Sequence, residues 1–239
     1  MKNLADLHTH TLASGHAYNT ITEMIHMASQ KGLPILGISD HAPAMPGSAQ
    51  DIYFWNFKAV PKEMEGVRVL FGCELNIMDY KGTIDLSQKA LSRLDYAIAS
   101  LHDLCLAFGT KEENTAAVLG ALENPHVNII GHPDDGRFPL DPEAVAKAAK
   151  KYDKLLEINN SSLGPGSSRK NARENDLILL EYCKKYEVPV IMGSDAHFMT
   201  AVAEHSMAEE LLRETGYPKE LIANYSMDLL KHHIPGLNK

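Results

Sequence analysis

Histidine and carboxylate residues repeatedly stand directly after short apolar runs in this sequence. The chain has 239 residues, of which 12 are histidines. Two closely spaced pairs, His8 with His10 and Asp195 with His197, stand near its two ends. Side chains two positions apart in extended backbone point to the same side. Imidazole nitrogens and carboxylate oxygens together suit Zn²⁺, Mn²⁺ or Fe²⁺, so each pair is predicted to offer metal ligands.

Single residues of the same types follow other apolar runs between these pairs. The candidate ligands are His8, His10, His16, His41, Glu74, His102, His132, Asp195 and His197. This set exceeds the needs of one tetrahedral ion and suits about three ions. The other histidines are predicted to be structural: His26, His126, His205, His232 and His233.

The apolar runs are predicted to be strands. These are Leu4–Leu7, Ile35–Ser39, Val67–Leu75, Tyr96–Leu101, Val127–Gly131, Leu155–Asn159 and Val188–Gly193. Several are continuously apolar, which favours parallel strands buried on both faces of a sheet. Each of them is followed by a polar side chain at its carboxyl end, where parallel α/β folds build their active sites.

Helical patterns separate the strands. Capping boxes at Thr20 with Glu23 and at Thr110 with Glu113 start two helices, and Asp141 before Pro142 starts a third. Later helices are predicted over Arg173–Tyr186, Ala201–Thr215 and Ser226–His233. Strand–helix alternation without a linker predicts one α/β domain over residues 1–239, a TIM-barrel-like barrel of about seven βα units. A doubly wound open sheet is the alternative.

Composition excludes several classes of function. The net charge of −8 disfavours bulk binding of nucleic acid or of an anionic membrane. Cys73, Cys105 and Cys183 are widely spaced, which indicates core residues of a reducing compartment rather than a disulfide framework. The first residues contain no signal-peptide pattern, and no apolar run reaches the ~20 residues that span a bilayer. We therefore expect a cytoplasmic location and no membrane partner.

The arrangement of these residues resembles the PHP superfamily, which is named for polymerase and histidinol phosphatase. That family has H-x-H at the first strand, single His or Glu ligands at later strands, and a final D-x-H. In this chain the pattern reads Asp6-Leu7-His8-Thr9-His10-Thr11, Ser39-Asp40-His41, Cys73-Glu74, Leu101-His102, Gly131-His132-Pro133 and Gly193-Ser194-Asp195-Ala196-His197. Its length and two segments, Ala17-Tyr18-Asn19-Thr20 and Glu157-Ile158-Asn159-Asn160-Ser161-Ser162, are similar to the short stand-alone bacterial phosphatase branch.

The resemblance implies a distorted (β/α)7 barrel with a trinuclear metal site, most readily of zinc, with manganese or iron as alternatives. By analogy one ion takes His8, His10, Glu74 and Asp195, a second takes Glu74, His102 and His132, and a third takes His16, His41 and His197. Glu74 would then bridge the first two ions. Which ion each residue holds does not follow from spacing alone.

The chemistry expected of such a site is hydrolysis of a small phosphomonoester by hydroxide held between metal ions. Three ions with Glu74, Asp195 and one hydroxide leave a formal charge of about +3, which attracts phosphate. Arg169 is expected to clamp the phosphate, with a surface position as its alternative. Asp6 is expected to orient a ligand imidazole, and Asp134 to orient a ligand or protonate the leaving group.

Three other functions remain open at this stage. Amidohydrolase-type C–N hydrolases also begin with His-x-His and end with Asp, although Glu74 stands where they usually carry a carboxylated lysine. A nucleotide-end exonuclease or phosphodiesterase is disfavoured by the acidic charge. A metal-dependent binding domain without catalysis is the third. The expected partner is a small phosphorylated substrate, contacted by Asn159, Asn160 or Ser161, and a homo-oligomer is left open.

Overall fold

The strands of this protein form two sheets that together make a distorted barrel. The computed structural model describes residues 2–239. The strands are β1 (Ala5–Asp6), β2 (Ile35–Ile38), β3 (Glu63–Met64), β4 (Val67–Phe71), β5 (Glu74–Asn76), β6 (Ile98–Ser100), β7 (Ile129–Ile130), β8 (Leu155–Asn159) and β9 (Val190–Gly193). One sheet has the order β1-β2-β4-β3 and the other runs from β5 to β9 in chain order.

Two single bridges join the sheets into a ring. Thr9, after β1, pairs with Ala196, after β9, and His41, after β2, pairs with Glu74. All ladders are parallel except the one between β3 and β4. The expected α/β barrel-like fold with parallel strands is therefore confirmed, and the doubly wound alternative is wrong.

The strand predictions need two corrections. The single strand expected over Val67–Leu75 is divided into β4 and β5, because Gly72 and Cys73 lie outside both ladders. The hairpin strand β3 was not predicted; Glu65 and Gly66 form its turn, both with positive φ. Most of the other strands are shorter than their apolar runs, whereas Leu155–Asn159 matches β8 at both ends.

Helices cover the outside of the strands. They are α1 (Ile21–Gln30), α2 (Asp51–Trp55), α3 (Gln88–Leu91), α4 (Lys111–Glu123), α5 (Pro142–Tyr152), α6 (Ala172–Tyr186), α7 (Ser206–Glu214) and α8 (Met227–His233). Both capping boxes and the Asp141 cap are confirmed at the starts of α1, α4 and α5. Among residues 2–239, no helix combines the length and apolar character needed to cross a membrane.

One helix begins later than its pattern predicts. The segment Ala201–Thr215 was expected to be helical throughout, but α7 starts only at Ser206. Ala203 adopts a positive φ of 60°, and its backbone N–H donates to Asp6 Oδ2 at 2.8 Å. A left-handed residue cannot continue a right-handed helix, so this contact separates a short 3-10 turn at Met199–Ala201 from α7.

The barrel interior is filled by a small apolar cluster on the side opposite the polar strand ends. Tyr96 is its largest member, and its hydroxyl donates to the Leu7 carbonyl at 2.6 Å. A Cβ at Gly37 would lie 2.2 Å from the Tyr96 hydroxyl oxygen, so the ring occupies the space left by that glycine. A larger cluster packs the helices against the outside of the strands. The barrel interior is thus apolar on the side of the strands' amino ends and polar on the side of their carboxyl ends.

Candidate metal centre

The carboxyl ends of the strands carry the predicted ligands to one place. His8 and His10 follow β1, His41 follows β2, and Glu74 stands at the junction of β4 with β5. The rest follow later strands: His102 after β6, His132 after β7, and Asp195 with His197 after β9. His16 lies in the loop after His10. We refer to these nine side chains as the ligand cluster.

Glu74 lies at the middle of the ligand cluster and is fully buried. Its Oε1 lies 2.9 Å from His132 Nε2, 3.2 Å from His102 Nε2 and 3.3 Å from His8 Nε2, and its Oε2 lies 2.8 Å from His41 Nδ1 and 3.5 Å from His10 Nε2. One carboxylate therefore reaches imidazoles supplied by four of the strands. That position suits a bridging ligand.

Asp195 is the second carboxylate of the ligand cluster. Its Oδ1 lies 3.3 Å from His10 Nε2 and 3.6 Å from His8 Nε2. Its Oδ2 accepts from Arg169 Nη2 at 2.9 Å and from Asn159 Nδ2 at 3.3 Å. One oxygen thus faces the imidazoles while the other is anchored by donors.

His16 and His197 form the more exposed edge of the ligand cluster. Their Nε2 atoms are 3.0 Å apart, and the His16 ring stacks on that of His41 with centroids 4.9 Å apart. His10 and His197 also stack, with centroids 4.3 Å apart. The stacked rings bring several imidazole nitrogens close together, so this edge of the ligand cluster also offers potential metal ligands.

Neighbouring side chains fix the orientation of the imidazoles. His8 Nδ1 lies 2.7 Å from Glu157 Oε1, and His102 Nδ1 lies 2.7 Å from Asn76 Oδ1. Because these oxygens accept, Nδ1–H donates to them and Nε2 of each ring faces the centre of the cluster. A metal can then bind at Nε2 by displacing any proton there, while Nδ1–H keeps the ring oriented.

Several buried atoms of the ligand cluster lack a hydrogen-bond partner anywhere in residues 2–239. They are Nε2 of His8, Nε2 of His10, Nδ1 of His41 and Oε2 of Glu74. Buried polar atoms are nearly always paired, because an unpaired one costs about 1–3 kcal/mol. Four of them converging on one space fit a cation. Sets of three donor atoms within 4.8 Å of one another recur here, among them His8, His10 and Glu74.

Electrostatics within the cluster oppose the ordinary effects of burial at Glu74 and His8. Burial acts to raise the pKa of Glu74, but His8, His102 and His41 hold it well below its usual value. Burial acts to lower the pKa of His8, yet the carboxylates of Glu157, Glu74 and Asp195 raise it well above 6.5. The pKa of His10 falls well below its usual value through burial and the neighbouring imidazoles. A lowered pKa favours the ionised form of Glu74, which is the form that binds a metal.

Two members of the ligand cluster have strained backbone. Asp195 adopts a φ of 54° and His132 a φ of 29°, although neither is glycine. Such conformations cost about 1–3 kcal/mol and persist where the surrounding structure enforces them. Here they direct two side chains from strand ends into the cluster.

Arg169 lies beside the ligand cluster, not on the open surface. Its guanidinium contacts Asp195 through Nη2, and its Nη1 donates to Ser162 Oγ at 3.0 Å and to Asn159 Oδ1 at 3.2 Å. Burial acts to lower the pKa of Arg169, but Asp195 and Asp134 raise it. The surface alternative for Arg169 is wrong.

Asp6 does not have its expected supporting role, and the side-chain oxygen of Asn160 already accepts from backbone. Asp6 does not contact a ligand imidazole: its Oδ2 accepts from Ser194 Oγ at 2.5 Å, and its Oδ1 lies 3.5 Å from His205 Nε2. Asn160 Oδ1 accepts from the backbone of Met207 and Ala208 at the start of α7. Both residues hold loops in place, because strand-end polar groups also satisfy neighbouring backbone.

The most important residue that sequence reasoning missed is Glu157. It is 1% exposed and lies in β8 between apolar neighbours. Besides its contact with His8, its Oε2 accepts from the backbone N–H of His132 at 2.8 Å. A carboxylate between apolar neighbours in a predicted buried strand was the available signal, because a charge on a fully buried strand requires partners.

A further group, Asp153, His232 and His233, also brings three donor atoms together. Asp153 and His232 are exposed, and they pair with each other at 2.7 Å. His26 is likewise exposed and pairs with Glu65 at 2.9 Å. That these histidines are structural stays a prediction.

Comparison with known proteins places this geometry in context. The family model "PHP domain" matches residues 6–163, more than half of the chain. A probable phosphatase of Caldicellulosiruptor saccharolyticus is 47% identical over 223 residues, covering 93% of this chain and 92% of the relative. A probable phosphatase of Clostridium botulinum strain Langeland is 43% identical over 239 residues, covering 100% of this chain and 97% of the relative.

Solved structures show the same fold at lower identity. Histidinol phosphate phosphatase of Lactococcus lactis, complexed with zinc, L-histidinol and phosphate, aligns with a TM-score of 0.61 at 17% identity, covering 90% of this chain and 95% of that one. A putative histidinol phosphatase of Listeria monocytogenes aligns with a TM-score of 0.59 at 16% identity, covering 84% and 98%.

Proposed function

Because this chain belongs to the PHP domain family, we propose that it is a metal-dependent phosphatase that hydrolyses a small phosphomonoester. The observation that carries the proposal is the set of buried, unpartnered donor atoms of His8, His10, His41 and Glu74. A bound cation would satisfy at once the nitrogen lone pairs and the carboxylate oxygens that face one another here. The names of the relatives, probable phosphatases, support the same reaction.

The ligand cluster suits three divalent ions, divided as the family resemblance implies. Glu74 would bridge two of them, since each of its oxygens approaches different imidazoles. Zinc is the preferred metal, because imidazole and carboxylate suit it and the Lactococcus lactis protein was crystallised with zinc. Bound ions would neutralise phosphate and lower the pKa of water from ~15.7 toward ~7.

The chain's own residues hold the reacting groups in place. Glu74 and Asp195 supply the negative charge of the ligand cluster, and Glu157 and Asn76 accept from Nδ1 of His8 and His102, so that Nε2 of each ring faces the cluster. Arg169 brings a permanent positive charge beside Asp195, from which its planar donors can meet phosphoryl oxygens. We propose that Arg169 binds the phosphate during turnover. Phosphate and the free alcohol are the products.

The proposal is tested by metal analysis joined to a turnover assay. The purified protein should contain close to three zinc, manganese or iron ions per chain and hydrolyse an aryl phosphate. Chelation should abolish hydrolysis, and adding back Zn²⁺ or Mn²⁺ should restore it. Hydrolysis that persists after complete chelation would contradict the proposal, and cleavage only of a cyclic amide would favour the amidohydrolase alternative.

Glu74→Gln separates metal binding from folding. The amide keeps the size of the side chain but removes the charge between the imidazoles, so we expect metal content to fall by at least one ion and turnover by more than about 100-fold. Glu181→Gln, an exposed change in α6, is the matched control and should alter neither. Turnover near that of the parent protein would refute the bridging role of Glu74.

A further inference from the structure

Large apolar side chains that are exposed to solvent concentrate on the loops of the ligand cluster. Among the described residues seven such side chains are exposed, and five of them lie within six positions of a predicted ligand. These five are Leu12, Tyr18, Leu104, Phe108 and Phe198, and they are 47–70% exposed. Apolar residues on a surface are usually scattered, so their concentration around one site calls for a function.

Three of the five lie on the side of His16 and His197. The backbone N–H of Tyr18 donates to the carbonyl of His197 at 3.1 Å, and Phe198 follows directly in the chain. The N–H of Leu12 donates to the Asn19 carbonyl at 2.9 Å, which ties its loop to the same segment. These side chains therefore border the most exposed edge of the ligand cluster.

The other two lie on the loop after His102. Phe108 packs edge-to-face on buried Phe138, with ring centroids 4.8 Å apart, and Arg137 lies 5.7 Å from its ring. Arg137 is in turn held by Asp135 at 2.7 Å. Phe108 is thus fixed in position while half of its surface faces solvent, which is what a preformed contact surface requires.

The side-chain amide oxygens of the two asparagines at the end of β8 are already engaged within the protein. Asn160 Oδ1 accepts two backbone N–H groups of α7, and Asn159 contacts Asp195, Arg169 and the N–H of Ser162. A sugar phosphate would need such amides free, because its hydroxyls must replace their bonds to water. The loops instead offer aromatic and aliphatic surface.

We propose, on the basis of the phosphatase function above, that the apolar rim formed by these five residues binds the alcohol portion of the substrate, which is aromatic or aliphatic. The phosphate would lie at the ligand cluster and the ester group would extend past His16 and His197 onto the rim. Hydrolysis adds water across the ester bond and breaks it, which leaves phosphate at the ligand cluster and the apolar alcohol on the rim, and both products depart to solvent. Burial of apolar surface would then supply the specificity.

The test compares two alkyl phosphates whose leaving alcohols are of similar basicity, 2-phenylethyl phosphate and ethyl phosphate. The ratio of their kcat/KM values cancels the chemical step and reports contact with the rim. We expect a ratio of about ten or more, expressed mainly in KM. Phe198→Ser and Phe108→Ser should each lower it at least fivefold. Ile178→Ser, an equally exposed apolar position on α6, should leave it unchanged.

The outcomes distinguish this inference from the function on which it rests. If neither ester is hydrolysed by metal-loaded protein, the phosphatase proposal fails. If both are hydrolysed with a ratio near one, or if the ratio survives both substitutions, the rim proposal is overturned and the phosphatase proposal stands. Light scattering of the same variants gives the remaining outcome: a change of mass in solution would assign the rim to contact between copies and overturn its role in substrate binding.

Discussion

Glu157 ties two members of the ligand cluster to one rigid strand. Its Oε1 accepts from His8 and its Oε2 from the backbone of His132, while Asn159 Nδ2 donates to Oε2 at 3.1 Å. A Cβ at Gly193 would lie 1.9 Å from Glu157 Oε1, so only glycine leaves room for this carboxylate. The orientation of the imidazoles is therefore built into β8 and β9 before any ion binds.

Glu157→Gln tests that arrangement. The amide presents one acceptor and one donor where two acceptors are needed, so one of the two N–H groups loses its partner. We expect metal affinity or kcat/KM to fall by about 10–100-fold, with metal affinity measured by competition against a chelator. Glu123→Gln, whose carboxylate lies outside the ligand cluster at the end of α4, serves as the reference. Equal affinity in the two variants would exclude an orienting role.

At the scale of elements, sequence patterns predicted the positions of strands better than their limits. Continuous apolar runs such as the one from Val188 to Met192 predict strands clearly, because both faces of such a strand are buried. The division at Gly72 and Cys73 depends on how the third strand shifts from β2 toward β6, which local sequence does not encode. The helix starts at Thr20, Thr110 and Asp141 were predictable because capping is local chemistry.

Gly37→Ala probes the packing of β2 against the barrel interior. The added methyl group would lie 2.2 Å from the Tyr96 hydroxyl and 2.9 Å from Leu7 Cα, so the ring must move and its hydrogen bond to Leu7 is strained. We expect the free energy of unfolding in urea to fall by about 1–3 kcal/mol. Gly166→Ala, which meets no atom within 4 Å, should change it by less than about 0.5 kcal/mol.

Helix α6 carries a buried acid, Asp176, that lowers the stability of the folded protein by an amount that depends on pH. Burial raises the pKa of Asp176 well above 3.8, and nearby Asp134 raises it further. Within the described part of the chain, neither oxygen of Asp176 has a hydrogen-bond partner. The unfolded chain releases this proton near pH 4, whereas the folded protein retains it to higher pH. The unfolded state then binds fewer protons, so stability falls as pH rises above about 4.

Asp176→Asn removes that dependence, because the amide does not titrate. Relative to the parent protein, the variant should gain at least about 1 kcal/mol more stability at pH 8 than at pH 4.5, measured by urea unfolding at each pH. Glu174→Gln alters an exposed carboxylate in the same helix and should show no such difference. A gain of the same size at both pH values would mean that Asp176 is not protonated in the folded state.

At the scale of the whole molecule, the ligand cluster exists only because the barrel closes. His8 and His197 are nearly the full length of the chain apart, yet the pairing of Thr9 with Ala196 joins their segments. The convergence of the nine residues was predictable because parallel strands end at one edge. Which imidazole Glu157 or Asn76 contacts depends on three-dimensional packing and was not predictable, although a charge in a buried strand does mark Glu157 as a residue that needs partners.

Ions held between the two sheets should stabilise the whole fold. The ligand cluster joins His8, His10 and His41 from one sheet to Glu74 and Asp195, which neighbour the other, and its unpaired donor atoms cost stability when no cation is bound. Binding at about 1,000 times Kd contributes about 4 kcal/mol. Chelation should therefore lower Tm by about 8–16 °C in a scanning calorimeter, because 1 kcal/mol shifts Tm by about 2–4 °C at this chain length. If residues 1–239 form one domain, as we propose, the protein should show a single unfolding transition, and chelation should shift all of it to lower temperature.

Glu74→Gln should respond to chelation by a much smaller shift in Tm, since its site is already impaired, whereas Glu181→Gln should follow the parent protein. An unchanged Tm after verified loss of metal would show that the polar atoms of the ligand cluster are paired without cations. It would contradict the inference that they cost stability when no ion is bound.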